Sequence, residues 1–189
     1  MSFENFQTKE SVVIVFTGDN KGKTSAAIGL MCRALGNRWQ VGFIQFIKYW
    51  GVGEHVFIRD IMPIYKDKLY FYKGGKGFYK AGDLSAQKVT EVQHKQAAQT
   101  TYDEALTLAG SGDYDLVICD EICNAVHDGL VSKEQLVTLI KARAPRTSLC
   151  LTGRNFPEDL LELVDIATEM KKLKHHFDEQ FLANKGIDF

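Results

Sequence analysis

The chain has 189 residues, 45% of them hydrophobic and 25% charged, and a formal net charge of −1. That length suits one domain with its own core and is short for two, so 1–189 is read as a single domain. The near-neutral balance offers no field for a nucleic acid, and no apolar run is long enough to span a bilayer.

The opening Met1-Ser2-Phe3-Glu4-Asn5 lacks the basic-then-apolar order of a secretion signal, so the cytoplasm is the expected compartment. The first predicted element is a strand over residues 12–17. It runs into Gly18-Asp19-Asn20-Lys21-Gly22-Lys23-Thr24-Ser25 and a helix over about 24–35 that stops at Gly36. A buried strand follows over 41–46. The glycine-containing stretch 48–63 has no assignable period. A short strand covers 69–72, and a glycine-rich loop, 73–82, carries Phe78 and Tyr79. Apolar spacing at Val89, Val92, Tyr102, Ala105, Leu106 and Ala109 predicts a helix over about 85–109.

Residues 115–119, with four apolar residues from Leu116 to Cys119, predict a buried strand that ends at Asp120-Glu121. Ser132-Lys133-Glu134-Gln135 has the form of a capping box and opens a helix to about 143, which Pro145 stops. Residues 148–152 form the next strand, closing on Gly153-Arg154. Pro157 suits the first turn of a helix through 164, residues 166–170 read as a last strand, and a polar Lys- and His-containing tail finishes the chain. Alternation of this kind predicts an α/β fold: a mostly parallel sheet with helices on both faces. Ligands of such sheets gather beyond the carboxyl ends of the strands, where Gly18, Gln45, Asp120 and Gly153-Arg154 all fall.

Gly18 to Thr24, between a strand and a helix, is a phosphate-binding loop in its expected setting. Successive backbone N–H groups wrap an anion, and the helix dipole points at the same spot. Lys23 supplies a mobile positive charge and the Thr24 hydroxyl a ligand for Mg²⁺. The loop is one residue shorter than the common spacing, since four residues before Gly22 stands Thr17 rather than a glycine. Asp120-Glu121 has the form of a Walker B segment, and either carboxylate can hold Mg²⁺ directly or through water. Arg154 can clamp phosphate oxygens or cap a carboxylate on the surface; its place at a strand end favours the phosphate. Lys21 can reach the phosphates or project into solvent. Phe78 and Tyr79 suit a lid over a flat apolar ligand or a plain hydrophobic anchor.

Cys119 and Cys123 are four apart with no second pair, so a structural zinc is not expected. Cys32, Cys119 and Cys150 lie in apolar runs, as buried reduced thiols do. His55, His94, His127, His175 and His176 show no metal-ligand spacing and no nucleophile-base arrangement.

Together these residues resemble the corrinoid adenosyltransferases of the P-loop type, over nearly the whole chain. The likeness runs through the short loop 18–27, Arg33-Ala34-Leu35-Gly36, residues 41–48, Gly53-Glu54, Asp120-Glu121-Ile122, Gly129-Leu130, Thr152-Gly153-Arg154 and Pro157-Glu158. It ends in Thr168-Glu169-Met170-Lys171, Lys174-His175, Phe177-Asp178 and Lys185-Gly186-Ile187-Asp188-Phe189, the most specific part. The resemblance implies a P-loop NTPase-like (RecA-like) three-layer fold and chemistry at carbon. ATP lies reversed in the short loop, the Co(I) of a corrinoid attacks the ribose 5′-carbon, and inorganic triphosphate leaves. Co(I) is itself a strong nucleophile, so no general base is required. Lys23, Arg154, loop N–H groups and Mg²⁺ stabilise the leaving charge.

The resemblance further implies a flavoprotein reductant, a homodimer, and a role for Phe78 and Tyr79 in displacing the lower axial ligand of cobalt. The chain departs from the family pattern at Lys80, where the best-known members have a Trp. Asn20 replaces a glycine, and Cys123-Asn124 an Asn-Tyr pair. About eleven residues precede the first strand, where some relatives carry a longer segment over the corrin site, so a different closure is expected. A kinase or ATPase acting at the γ-phosphate, and a nucleotide-dependent switch, remain the alternatives, separated from adenosyl transfer by the loop length and the C-terminal tail.

Overall fold

The computed structural model describes residues 4–49, 51–77 and 89–189. Its centre is a six-stranded sheet in the order β3-β2-β4-β5-β1-β6, built from β1 (Val13–Thr17), β2 (Val41–Gln45), β3 (Leu69–Lys73), β4 (Leu116–Asp120), β5 (Ser148–Thr152) and β6 (Ile166–Glu169). Every pairing is parallel, as alternating strands and helices require. β2, β4 and β5 are buried throughout. They read as continuous apolar runs because both faces are covered.

Side-chain alternation divides the core in two. Ile44, Val117, Cys119, Leu149 and Leu151 pack with Ala98, Tyr102, Ala105 and Leu108 of α3 (Glu91–Ser111) and with Leu136 and Leu139 of α5 (Lys133–Ala142). Phe43, Leu116, Ile118 and Cys150 face the other way, onto Ala27, Met31 and Leu35 of α1 (Lys23–Gly36) and Ile58 of α2 (Gly53–Ile61). The three-layer expectation is met, with helices on both faces. Cys119, Cys123 and Cys150 are buried free thiols, whereas Cys32 is exposed.

Two capping boxes set helix starts: Thr90 with Gln93 begins α3, and Ser132 with Gln135 begins α5 as the sequence indicated. The first is a correction, since the helix expected from residue 85 begins at Glu91. Two helices went unread. One is α2, inside the unassigned stretch, whose Val56 and Phe57 stay exposed and spoil its apolar period. The other is the six-residue α4 (Ile122–His127). The helix expected over 157–164 is a 3₁₀ stretch, Glu158–Leu163, entered from an extended Pro157. With Leu160 its only buried residue, it lacks the apolar face to hold an α-helix. The last strand stops at Glu169, one residue early, and is exposed along the sheet edge.

Candidate active site

One strand, β5, lies between β1, which feeds the phosphate loop, and β4, which ends in Asp120. This insertion places Thr152, the last residue of β5, between the two. Gly18 and Gly22 take φ of 104° and 108°, which glycine adopts without strain. A Cβ on Gly18 would lie 2.7 Å from the Met170 carbonyl oxygen, so the loop is pressed against the segment that follows β6. Gly22 caps α1, whose first N–H groups open toward the loop.

Lys23 Nζ donates to the carbonyls of Gly18 at 2.6 Å and Asn20 at 2.5 Å, holding its charge inside the cradle. Burial, and after it the Arg154 guanidinium, pull the Lys23 pKa below that of a free lysine. Thr24 Oγ1 donates to Asp120 Oδ1 at 3.0 Å. Asp120 is fully buried, and its carboxylate also accepts from Thr152 Oγ1 at 2.7 Å and Gln45 Nε2 at 2.9 Å. His55 Nε2 lies 2.5 Å from Gln45 Oε1. Because the Gln45 amide nitrogen already donates to Asp120, its oxygen must accept, which puts the His55 proton on Nε2.

Glu121 follows with φ of 62° and its N–H on Thr152 Oγ1 at 2.9 Å. Its Oε2 is buried without a hydrogen-bond partner among the described residues. Burial, with the adjacent Asp120 charge behind it, raises the Glu121 pKa to about 7.

Lys48, just past β2, donates to Glu54 Oε1 at 2.9 Å and to Thr24 Oγ1 at 3.1 Å, and its Nζ is 3.7 Å from Asp120 Oδ2. Burial lowers the Lys48 pKa, but Asp120, the Glu54 hydrogen bond and Glu121 outweigh it and leave the ammonium above its usual value.

These groups open onto a cavity of about 750 Å³. Asn20 to Ser25 form one wall, with Glu121, Thr152 and Arg154, and Gly186 to Phe189 close another. Gly153 has φ of 138°, and a Cβ there would lie 2.8 Å from the Asn124 backbone nitrogen. That close approach lets Asn124 Oδ1 accept the Arg154 N–H at 2.6 Å and so aims the arginine's backbone at the cavity. The tail reaches the loop through an ion pair between Lys21 and Asp188, the latter's side chain only 3% exposed. His176 Nε2 stands 3.7 Å from Asp188 on its other side.

The expected site residues thus meet in one place: Asn20, Lys21, Gly22, Lys23, Thr24, Ser25, Glu121 and Arg154 line the cavity, with Asp120 buried behind them. Gly18 shapes the loop from behind, and Asp19 lines an adjoining cavity of about 350 Å³ that shares Asn20, Lys21 and Arg154. Phe78 and Tyr79 lie outside the described residues. Sequence reasoning did not assign Lys48, Asn124 or the anchoring role of Thr152. Nothing local marks Lys48, but its place three residues after the end of β2, at the ligand edge of the sheet, was a usable signal.

For Mg²⁺ the donor set fits. Carboxylate and hydroxyl oxygens suit a hard cation, and the orphaned Glu121 oxygen lacks a partner that such an ion supplies. No cluster of three His, Cys, Asp or Glu side chains that could cage a metal occurs among the described residues. Mg²⁺ is commonly held by one or two carboxylates plus phosphates and water, so none is needed.

The profile of the family described as ATP:corrinoid adenosyltransferase BtuR/CobO/CobP matches residues 9–189. Among curated relatives, a corrinoid adenosyltransferase of Pseudomonas aeruginosa is 31% identical over 186 residues, 96% of this chain and 85% of the relative. One from Escherichia coli (strain K12) is 30% identical over 188 residues, 97% of this chain and 88% of the relative. A corrinoid adenosyltransferase of Salmonella typhimurium shows the same identity over the same length.

Proposed function

The chain belongs to the ATP:corrinoid adenosyltransferase family, and from that premise we propose how its residues divide the work of moving the adenosyl group of ATP onto a corrinoid. The activity is that of an enzyme of cobalamin biosynthesis or salvage. At the level of atoms, the Co(I) electron pair forms a bond to the ribose 5′-carbon. The C5′–O bond breaks, and its pair leaves on inorganic triphosphate.

The protein's share is alignment and stabilisation of that leaving charge. Loop N–H groups from Gly18 to Thr24, with Ser25 beside them, hold the polyphosphate, and the Lys23 ammonium moves from the Gly18 and Asn20 carbonyls onto it. Arg154 meets the same charge from the β5 side of the cavity. Thr24, Asp120 and Glu121 would hold Mg²⁺, which supplies additional positive charge to the phosphates when bound. Phe78 and Tyr79 serve the lower face of the corrin ring.

The observation that carries this reading is that the short loop and the C-terminal segment line the same cavity. Those two features separate adenosyl transfer from phosphoryl transfer. The test mixes ATP, Mg²⁺ and chemically reduced corrinoid without oxygen and identifies the phosphate product. Inorganic triphosphate in step with the new cobalt–carbon bond is the expected result, while corrinoid-dependent ADP or phosphate would reassign the protein to γ-phosphate chemistry. ATP binding without turnover in the presence of confirmed Co(I) would make it a switch.

A flavoprotein as the source of the reducing electron and assembly as a homodimer complete the reading. The exposed edge strand β6, which begins at the exposed Ile166, and the exposed Leu173 that follows it in the chain support self-association. A monomeric mass by light scattering at micromolar concentration would remove the dimer.

A further inference from the structure

Lys48 has a position too well defined for a surface lysine. Its backbone is clamped by Gly75, where an added Cβ would lie 2.3 Å from the Ile47 carbonyl carbon and 2.6 Å from the Lys48 oxygen. The Gly77 N–H closes the same contact on the Ile47 carbonyl at 3.1 Å. From this anchored stem the ammonium reaches Glu54, Thr24 and the edge of Asp120, with the side chain 19% exposed.

The Thr24 hydroxyl gives its proton to Asp120 and one of its two lone pairs to Lys48. The ammonium thus sits on the oxygen that a divalent cation beside Asp120 would take as a ligand. Asp120 Oδ1 already accepts from both Thr24 and Thr152, and Oδ2 accepts from Gln45 with Lys48 at its open side. The ammonium therefore occupies the approach that a cation would take to both oxygens. Glu54, whose side chain is 14% exposed, offers the same ammonium a second anion 2.9 Å away.

We propose that Lys48 is a resident place-holder cation, which fills the metal corner while nucleotide is absent and is displaced onto Glu54 and the incoming polyphosphate when the divalent ion arrives with ATP. The inference rests on Thr24 and Asp120 being ligands of that ion. Its consequence is an order of binding. Free divalent metal must evict a positive charge that only Glu54 can receive, whereas metal carried on ATP brings further anionic charge to take it up. Binding of metal is thereby made conditional on nucleotide, through a residue that need not touch the metal.

Mn²⁺ alone is the probe, titrated into nucleotide-free protein and followed by the loss of its free electron-paramagnetic signal. Replacing Lys48 with Met or Gln, two variants of similar length without charge, should tighten Mn²⁺ binding at least fivefold. Lys48→Arg should keep the weak wild-type affinity. Adding Asp120→Asn to the Met variant should abolish the gain. Tightening of less than fivefold in both neutral variants overturns the proposal, and so does a gain that survives Asp120→Asn. No corrinoid enters the assay, so failure of adenosyl transfer would leave this result standing. Loss of metal from wild-type protein with ATP on Asp120→Asn tests the ligand assignment separately.

Discussion

Thr152 Oγ1 donates to Asp120 Oδ1 at 2.7 Å and in the same position accepts the backbone N–H of the next residue, Glu121, at 2.9 Å. One buried hydroxyl thus fixes both the orientation of the carboxylate that backs the site and the turn that aims the second acid. Replacing Thr152 with Val keeps the shape but removes one of the two hydrogen bonds that the buried Asp120 Oδ1 accepts, and takes from the Glu121 N–H its Thr152 acceptor. The expected cost is about 2 kcal/mol, seen as a lower urea midpoint with an unchanged slope. Thr152→Ser should recover most of it. Equal loss in both variants would mean that the methyl group, not the hydroxyl, matters.

Lys23→Ala removes the cation now held by the Gly18 and Asn20 carbonyls. Its kcat/KM for triphosphate release should fall by roughly 10²–10³, the scale on which oriented charges act on a leaving anion. A value near wild type in anaerobic turnover would assign the leaving charge to another group, with Arg154 first in line.

The raised Glu121 pKa makes stability depend on pH. Its folded value, about 7, lies above the 4.5 of an exposed glutamate. The protonated acid therefore favours the fold below the unfolded pKa, and that contribution is lost as pH rises through the folded one. In protein free of nucleotide and divalent cations, Glu121→Gln should be more stable than wild type at pH 8, by about 1–3 kcal/mol. The two stabilities should converge as the pH falls from 7 toward 4.5. A difference that stays constant across this range in denaturant titrations would show that Glu121 does not titrate there.

Lys21 and Asp188 tie the phosphate loop to the tail. If this clasp closes the cavity, Lys21→Ala and Asp188→Asn should each weaken ATP several-fold, and the double variant should be no weaker than either alone. Calorimetric titrations supply the cycle. Independent, multiplying losses would mean that Lys21 meets the phosphates directly.

Much of this arrangement was legible in the chain because the sheet is parallel and buried. β4 shows an unbroken apolar run from Leu116 to Cys119, and the rule that ligands gather at the carboxyl ends of such strands brings Gly18, Asp120 and Arg154 together from the sequence alone. The misreadings have a common cause in short elements. α2 leaves Val56 and Phe57 exposed, and α4 spans little more than a turn, so neither shows a clean period. The partners of Asp120 escaped notice for a different reason. Gln45 and Lys48 come from β2 and the loop after it, Thr24 from α1 and Thr152 from β5, and only the placing of β4 between β2 and β5 makes them neighbours.

The strand order also sets a timetable. β1 pairs with β5, Val13 opposite Leu149, and with β6, Ile14 opposite Ile166, so both its neighbours are translated more than a hundred residues later. A growing chain can assemble β2, β3 and β4 against α3 while β1 waits without a partner. The element that feeds the phosphate loop, though made first, therefore cannot be locked in until β5 has been made. Such distant pairings close slowly. Its bare edge, Val13 to Thr17, is the stretch on which a stalled or overcrowded synthesis would expose the molecule to aggregation.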